Sequence, residues 1–260
     1  ADVLGAAVRD GLEIYGRDGF HEGDVIITNH GGTIGQHLNN VVMYTPVFSP
    51  EGELAAFMLV VMHWLDIGGR AIGSISKYAS DIFQEGIQFR TVKLVSRGEP
   101  VQEMYRMIRH NSRFPEEVAG DIDSQLGGCL MGRDEIAQLI ARYGMQTFRD
   151  AVHTIWDQSE AAARAVIAAI PDGVYEASAF MDDDGVNAGK PVPLAVKVTV
   201  AGDAMVVDLS GIADETRTTI NASRSGGGET VARLAFRYLI IPEEHASEGS
   251  FRPLTLVLPD

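Results

Sequence analysis

The sequence predicts an α+β chain: mixed strands and helices with a long helical segment, then a strand-rich C-terminal part. Three observations carry this reading. Short β-branched runs punctuate the chain as far as Val95. A helical apolar period then runs from Pro115 to Ile170, and beyond Pro171 turn signals separate strand-like runs. The change of texture near Pro171 divides the chain into a mixed α/β part, 1–170, and a strand-rich part with one helix, 171–260.

Residues 3–16 place Val3, Ala6, Ala7, Leu12 and Ile14 near helical spacing, with Gly16 as a stop. Asp24 to Thr28 is a short β-branched run expected to form a buried strand. Asn29 to Gln36 (NHGGTIGQ) reads as a glycine-rich loop. Val41–Phe48 and Leu54–His63 read as the two strands of a hairpin around the turn Ser49-Pro50-Glu51-Gly52. Residues 66–77 read as a loop, Gln88–Val95 as a strand and Val101–Asn111 as a helix. The helical stretch after Pro115 carries Gly127, Gly128, Gly132 and Gly144, which predicts two helices, about 115–143 and 145–170. Val174–Met181, Pro193–Val200, Ala204–Leu209 and Leu254–Leu258 read as strands. Residues 229–241 read as an amphipathic helix, and Gly202 sits where a hairpin turn favours positive φ.

Twenty-one lysines and arginines against thirty-six aspartates and glutamates leave a net charge of −15. That balance argues against nucleic acid or an anionic membrane as main partner, because both need clustered basic residues. Cys129 is the single cysteine, which excludes an internal disulfide and a four-cysteine zinc site and suits a cytoplasmic setting. The longest apolar stretch, Leu54 to Leu65, is interrupted by His63 and is shorter than the roughly 18 residues of a membrane span. Asp2, Arg9 and Asp10 interrupt any signal-peptide pattern. The chain opens inside a helical pattern and stops after a strand-like run, as expected of a fragment of a longer subunit.

Of seven histidines, His30, His37 and His63 fall in or beside the glycine loop and the hairpin. His37 and Asn40 are three apart, as are His63 and Asp66. Pairing of the two strands brings His37 and His63 to one end of the hairpin, with imidazoles within roughly 5 Å if both ligate one ion. Two neutral imidazoles and a carboxylate suit a divalent transition metal, which lowers the pKa of bound water to near 7. The competing reading is two packed or hydrogen-bonded histidines. His21, His110, His153 and His245 read as structural or surface residues. NHGGTIG lacks the lysine of a phosphate loop, although its glycines allow backbone amides to approach a substrate. Gly226-Gly227-Gly228 before the helix at 229 reads as a connector or an anion-binding turn. Asp121 and Asp123 face different directions on a helix, Asp182–Asp184 reads as a turn, and Cys129 as a buried thiol.

Five ordered blocks, DVIITNHGGTIGQHLNNVVMYTPVF, HWLDIGG, DIFQEGIQFRTVKL, FPEEVAGDIDSQLGG and VVDLSGIADETRTTINAS, span essentially the whole chain. In these blocks the sequence resembles the B subunit of the hydantoinase/oxoprolinase family, which includes N-methylhydantoinases, 5-oxoprolinases, caprolactamase and the acetone and acetophenone carboxylases. The resemblance implies a hetero-oligomer in which an A-type ATPase subunit, using ATP with Mg, phosphorylates an amide or ketone oxygen. The B subunit then completes the chemistry on a small cyclic amide or ketone. Its carboxylase branch implies a divalent metal (Zn, Mn or Fe) held by a histidine, an aspartate three residues later and a second histidine after the next strand. His37 and His63 match the histidines, and Asn40 stands where the aspartate is expected. His63-Trp64 stands where many relatives carry two adjacent histidines, and Asn29-His30-Gly31 replaces the usual Asn-Asp-Pro.

The assignments that follow are metal ligation by His37, Asn40, His63 and Asp66, catalysis by His30 and Asp66, and substrate binding by Asn29, His30, Gly31 and Gly32. The implied function is hydrolysis of an O-phosphorylated lactam formed on the partner. The alternatives are a ketone carboxylase subunit and a non-catalytic scaffold subunit.

Overall fold

A computed structural model describes residues 2–73, 76, 79–218, 227–243 and 245–259, and divides the chain into two units, Val3–Phe148 and Arg149–Asp260 with residues 1–2. The first unit contains α1 (Asp2–Tyr15), β1 (Val25–Thr28), the single turn α2 (Gly31–Ile34), β2 (Asn40–Phe48), β3 (Leu54–His63), β4 (Val92–Ser96), β5 (Glu99–Pro100), α3 (Gln102–His110) and α4 (Pro115–Tyr143). Its strands form an antiparallel sheet in the order β3-β2-β1-β4-β5.

The apolar runs of β1 and β2 are continuous because both faces of the sheet are covered. Alternation assigns Val25, Ile27, Val41 and Met43 to the face packed with Val118, Ile122 and Cys129 of α4. Ile26, Val42 and Tyr44 point the other way, into a cluster with Ala7 of α1, Phe20 and Ile34. The expected hairpin forms in register from Asn40↔His63 to Phe48↔Leu54, with one irregularity beside Phe48.

Three local expectations change. The strand expected from Gln88 begins only at Val92, because Thr91 adopts φ 52° and breaks the extended run. The expected loop at NHGGTIG contains the helical turn α2. Gly127, Gly128 and Gly132 do not interrupt α4, which runs unbroken to Tyr143. A Cβ at Gly132 would lie 2.6 Å from the Met58 sulfur of β3, so this glycine lets the helix backbone settle on the sheet.

In the second unit α5 (Met145–Ile167) precedes β6 (Gly173–Met181), β7 (Val192–Ala201), β8 (Ala204–Asp208), α6 (Glu229–Ile240) and β9 (Leu254–Val257). The sheet order is β6-β7-β8-β9, with β8 and β9 parallel. Ala163 and Ile167 of α5 share one core with Val200, Met205, Phe236 and Ile240. That packing puts the division of the chain near residue 148, ahead of the change of texture at Pro171. Gly202 turns the β7–β8 hairpin at φ 61° as expected. Gly226, the end of the last resemblance block (219–223) and residues 74, 75 and 77 of the expected loop lie outside the described residues. Among the described residues no helix is long and apolar enough to cross a membrane.

Candidate functional site

The hairpin has two ends. The turn end opens onto a wide polar cleft lined by Arg17, His21, Arg97, Arg133 and the turn residues Ser49 and Pro50. The other end carries the histidines. Asn40 and His63 are opposite one another in the β2–β3 ladder, and the Asn40 amide bonds back to the His37 carbonyl at 3.0 Å, which folds His37 over the strand ends. The two rings lie 5.1 Å apart between centroids, tilted by 55°.

That spacing fits one ion. Two imidazole nitrogens at about 2.1 Å from a tetrahedral centre put the ring centroids about 5 Å apart. His37 Nδ1 is buried with no hydrogen-bond partner. An orphaned buried nitrogen costs about 1–3 kcal/mol, a cost that ligation removes. Burial, and then the neighbouring His63, hold His37 below the ordinary histidine pKa, so it stands neutral and ready to ligate. The Asn40 carboxamide is the third group, its Nδ2 3.1 Å from His37 Nε2 and donating to Gln36 Oε1 at 2.8 Å. Among the described residues no three histidine, cysteine or acidic side chains converge. An ion here would take the two imidazoles from the chain, leaving other positions for water or substrate. The donor set fits a borderline divalent cation.

Asp66 does not join this set. Its buried carboxylate accepts from Arg113 Nη2 at 2.6 Å, Nε at 3.1 Å and the main-chain N at 2.6 Å. Burial alone would raise its pKa, but the hydrogen bonds from Arg113 and Gly68 outweigh burial and hold it below the usual carboxylate range. Both oxygens are occupied, so the expected ligand and catalytic role falls to a structural one. Asn29 is likewise taken. Its fully buried carboxamide donates to the carbonyls of Leu38 (2.8 Å) and Ile87 (2.9 Å) and accepts from Phe89 N (2.6 Å), so it ties the loop to the sheet and is out of reach of solvent.

His30 keeps a usable ring. Its Nδ1 pairs with Thr33 Oγ1 at 3.1 Å across the turn of α2. Gly32 lies under that ring, where a Cβ would come within 2.9 Å, and Gly31 faces Ile82.

Reasoning from the sequence missed the groups beneath the site. Asn39 Nδ2 donates to the Trp64 carbonyl and Trp64 N to the Asn39 carbonyl, both at 2.8 Å. Gln125 of α4, fully buried, accepts from Trp64 Nε1 at 2.9 Å. A signal existed: Gln125 is a polar residue on the buried stripe Val118, Ile122, Cys129.

The decisive comparison is along the chain. The sequence pattern described as hydantoinase B/oxoprolinase matches residues 2–260.

The chain belongs to the hydantoinase B/oxoprolinase family.

A candidate B-type D-/L-hydantoinase component of Pseudomonas sp. (strain NS671) is 31% identical over 255 residues, covering 93% of this chain and 42% of that protein. The beta component of the caprolactamase of Pseudomonas jessenii is 31% identical over 186 residues, covering 72% of this chain and 32% of its own length. The crystal structure of the ATP-dependent caprolactamase from Pseudomonas jessenii superposes with a TM-score of 0.89 at 26% identity, covering all of this chain and 44% of that one. The chain therefore spans less than half the length of these relatives.

Proposed function

We propose that this chain supplies the hydrolytic half of an ATP-dependent cyclic-amide hydrolase, acting on a ring amide O-phosphorylated by an A-type ATPase partner. The observation that carries the reading is the histidine pair: His37 and His63, 5.1 Å apart, with a buried His37 nitrogen that has no partner. Membership of a family whose relatives are called hydantoinase, caprolactamase and 5-oxoprolinase supports the substrate class.

An unstrained amide resists water because its carbonyl is a poor electrophile and its nitrogen a poor leaving group. Phosphorylation of the oxygen removes the first obstacle. Water then adds to the activated carbon and the C–N bond opens as the nitrogen takes a proton. Hydrolysis of the resulting acyl phosphate yields the acid and phosphate. A divalent ion bound by His37 and His63 would supply water of pKa near 7. His63, which is exposed, leaves the site open to substrate. His30, its Nδ1 fixed by Thr33, serves the proton transfer to the leaving nitrogen through Nε2. The amides of Gly31 and Gly32 line the same turn.

The test is His63→Ala in the complex with the partner. Loss of metal together with ATP cleavage that no longer yields product is the expected result. Metal retained with an unchanged ratio of ATP to product would remove His63 from the mechanism.

A further inference from the structure

We infer that Gln125 is a positioning residue for the histidine pair: from the core of α4 it fixes the end of the hairpin on which His37 and His63 stand. The inference rests on the metal reading above. Gln125 Nε2 donates to Val41 O of β2 at 2.7 Å and to Val60 O of β3 at 2.8 Å, so both carboxamide hydrogens clamp adjacent strands. Its Oε1 accepts from Trp64 Nε1 at 2.9 Å. All three partners lie within three residues of Asn40 or His63, and Trp64 is the next residue after His63.

Trp64 is held from every side. Its main chain exchanges two 2.8 Å bonds with Asn39, and its ring packs edge-on against Phe89 at 6.1 Å. Asn39 in turn lies between His37 and Asn40. The chain segments carrying both histidines are thus locked to one another through the Trp64–Asn39 pair, and that pair is locked to α4 through Gln125.

A buried carboxamide with no further role would be a poor choice at this position. The neighbouring core residues Val118, Ile122 and Cys129 are apolar, and a leucine or methionine there would avoid the need to satisfy two hydrogens and an oxygen. The amide adds direction: its bonds set the separation of β2 and β3 at the point where two ligands must meet one ion to within about 0.5 Å.

The experiment titrates Co2+ into the 260-residue chain and into its His63→Ala, Gln125→Met and Trp64→Phe forms. It reads the visible absorption of bound cobalt, and thermal unfolding reports which variants are folded. The native chain is expected to bind one cobalt, and His63→Ala to lose it. Folded Gln125→Met is expected to bind about tenfold more weakly or worse, with shifted bands, the scale on which outer groups tune metal sites. Trp64→Phe, which lacks the donor to Oε1, is expected to move the same way. Native affinity and native bands in folded Gln125→Met would overturn the inference. If Gln125→Met does not fold, unchanged binding by Trp64→Phe overturns it. A native chain that takes up no cobalt, or a His63→Ala form that binds as well as native, would overturn the metal reading itself and this inference with it.

Discussion

Replacing Arg113 by methionine should separate a structural Asp66 from a catalytic one. The carboxylate is 2% exposed and its guanidinium partner 40% exposed, with Nη2 at 2.6 Å. Removing one partner of a fully buried pair costs about 3–5 kcal/mol. Here the cost is smaller. Solvent screens the half-exposed guanidinium, and the carboxylate keeps Arg113 N at 2.6 Å, Gly68 N at 3.3 Å and Ser112 Oγ at 3.4 Å. About 2 kcal/mol remains for the two lost charge-assisted bonds. At a urea slope of about 2 kcal/mol per molar, the midpoint of the first unit falls by about 1 M. Trp64 is buried in that unit and Trp156 lies in the other, so fluorescence in a Trp156→Phe background reports this transition alone. Asp66→Asn should cost a similar amount. Because both changes break the same bonds, Arg113→Met combined with Asp66→Asn should fall short of the sum by about 1 kcal/mol. Single costs below about 0.5 kcal/mol, or strict additivity, would refute the structural assignment and make Asp66 a candidate ligand again.

The same carboxylate predicts a pH effect. A carboxyl whose folded pKa is depressed adds stability that is intact above its unfolded value, about 3.9, and lost as pH falls through the lower folded value. Asp66→Asn should therefore flatten the decline of the urea midpoint below about pH 4, and an unchanged slope would count against the pairing. Asn40→Asp should tighten Zn2+ or Co2+ binding about tenfold by adding an anionic ligand beside the imidazoles, as measured by competition with a chromogenic chelator. Equal affinity would exclude position 40 from the coordination shell. At Gly11 of α1, a Cβ would overlap the Tyr44 hydroxyl, which is buried without a hydrogen-bond partner among the described residues. Gly11→Ala should cost about 1–3 kcal/mol from overpacking, less the gain in helix propensity of up to about 1 kcal/mol. In a Tyr44→Phe background the cost should drop by about 1 kcal/mol in thermal melts, and an equal cost in both backgrounds would show that the hydroxyl is not the obstacle.

Periodicity was enough for most of the fold. The apolar runs Val41–Phe48 and Leu54–His63, with a proline–glycine turn between them, dictate the hairpin, and the hairpin dictates that His37 and His63 share an end. These are local or nearly local effects: apolar β-rich runs, turn chemistry and a short chain connection set the pairing. What the sequence could not determine was how the polar groups are used. Asp66 and Asn29 carry the residue types of a functional site, yet Asp66 meets Arg113 and Asn29 bridges Leu38, Ile87 and Phe89. The Asp66–Arg113 partners are 47 positions apart and the Asn29–Phe89 partners 60. Gln125 shows the converse, a residue of ordinary appearance made important by the carbonyls it reaches on β2 and β3. A side chain's hydrogen-bonding capacity is written in its type, but whether that capacity is consumed inside the protein or left for a ligand depends on which distant backbone arrives beside it. Only the tertiary structure decides that, because burial requires every available donor and acceptor to be satisfied locally.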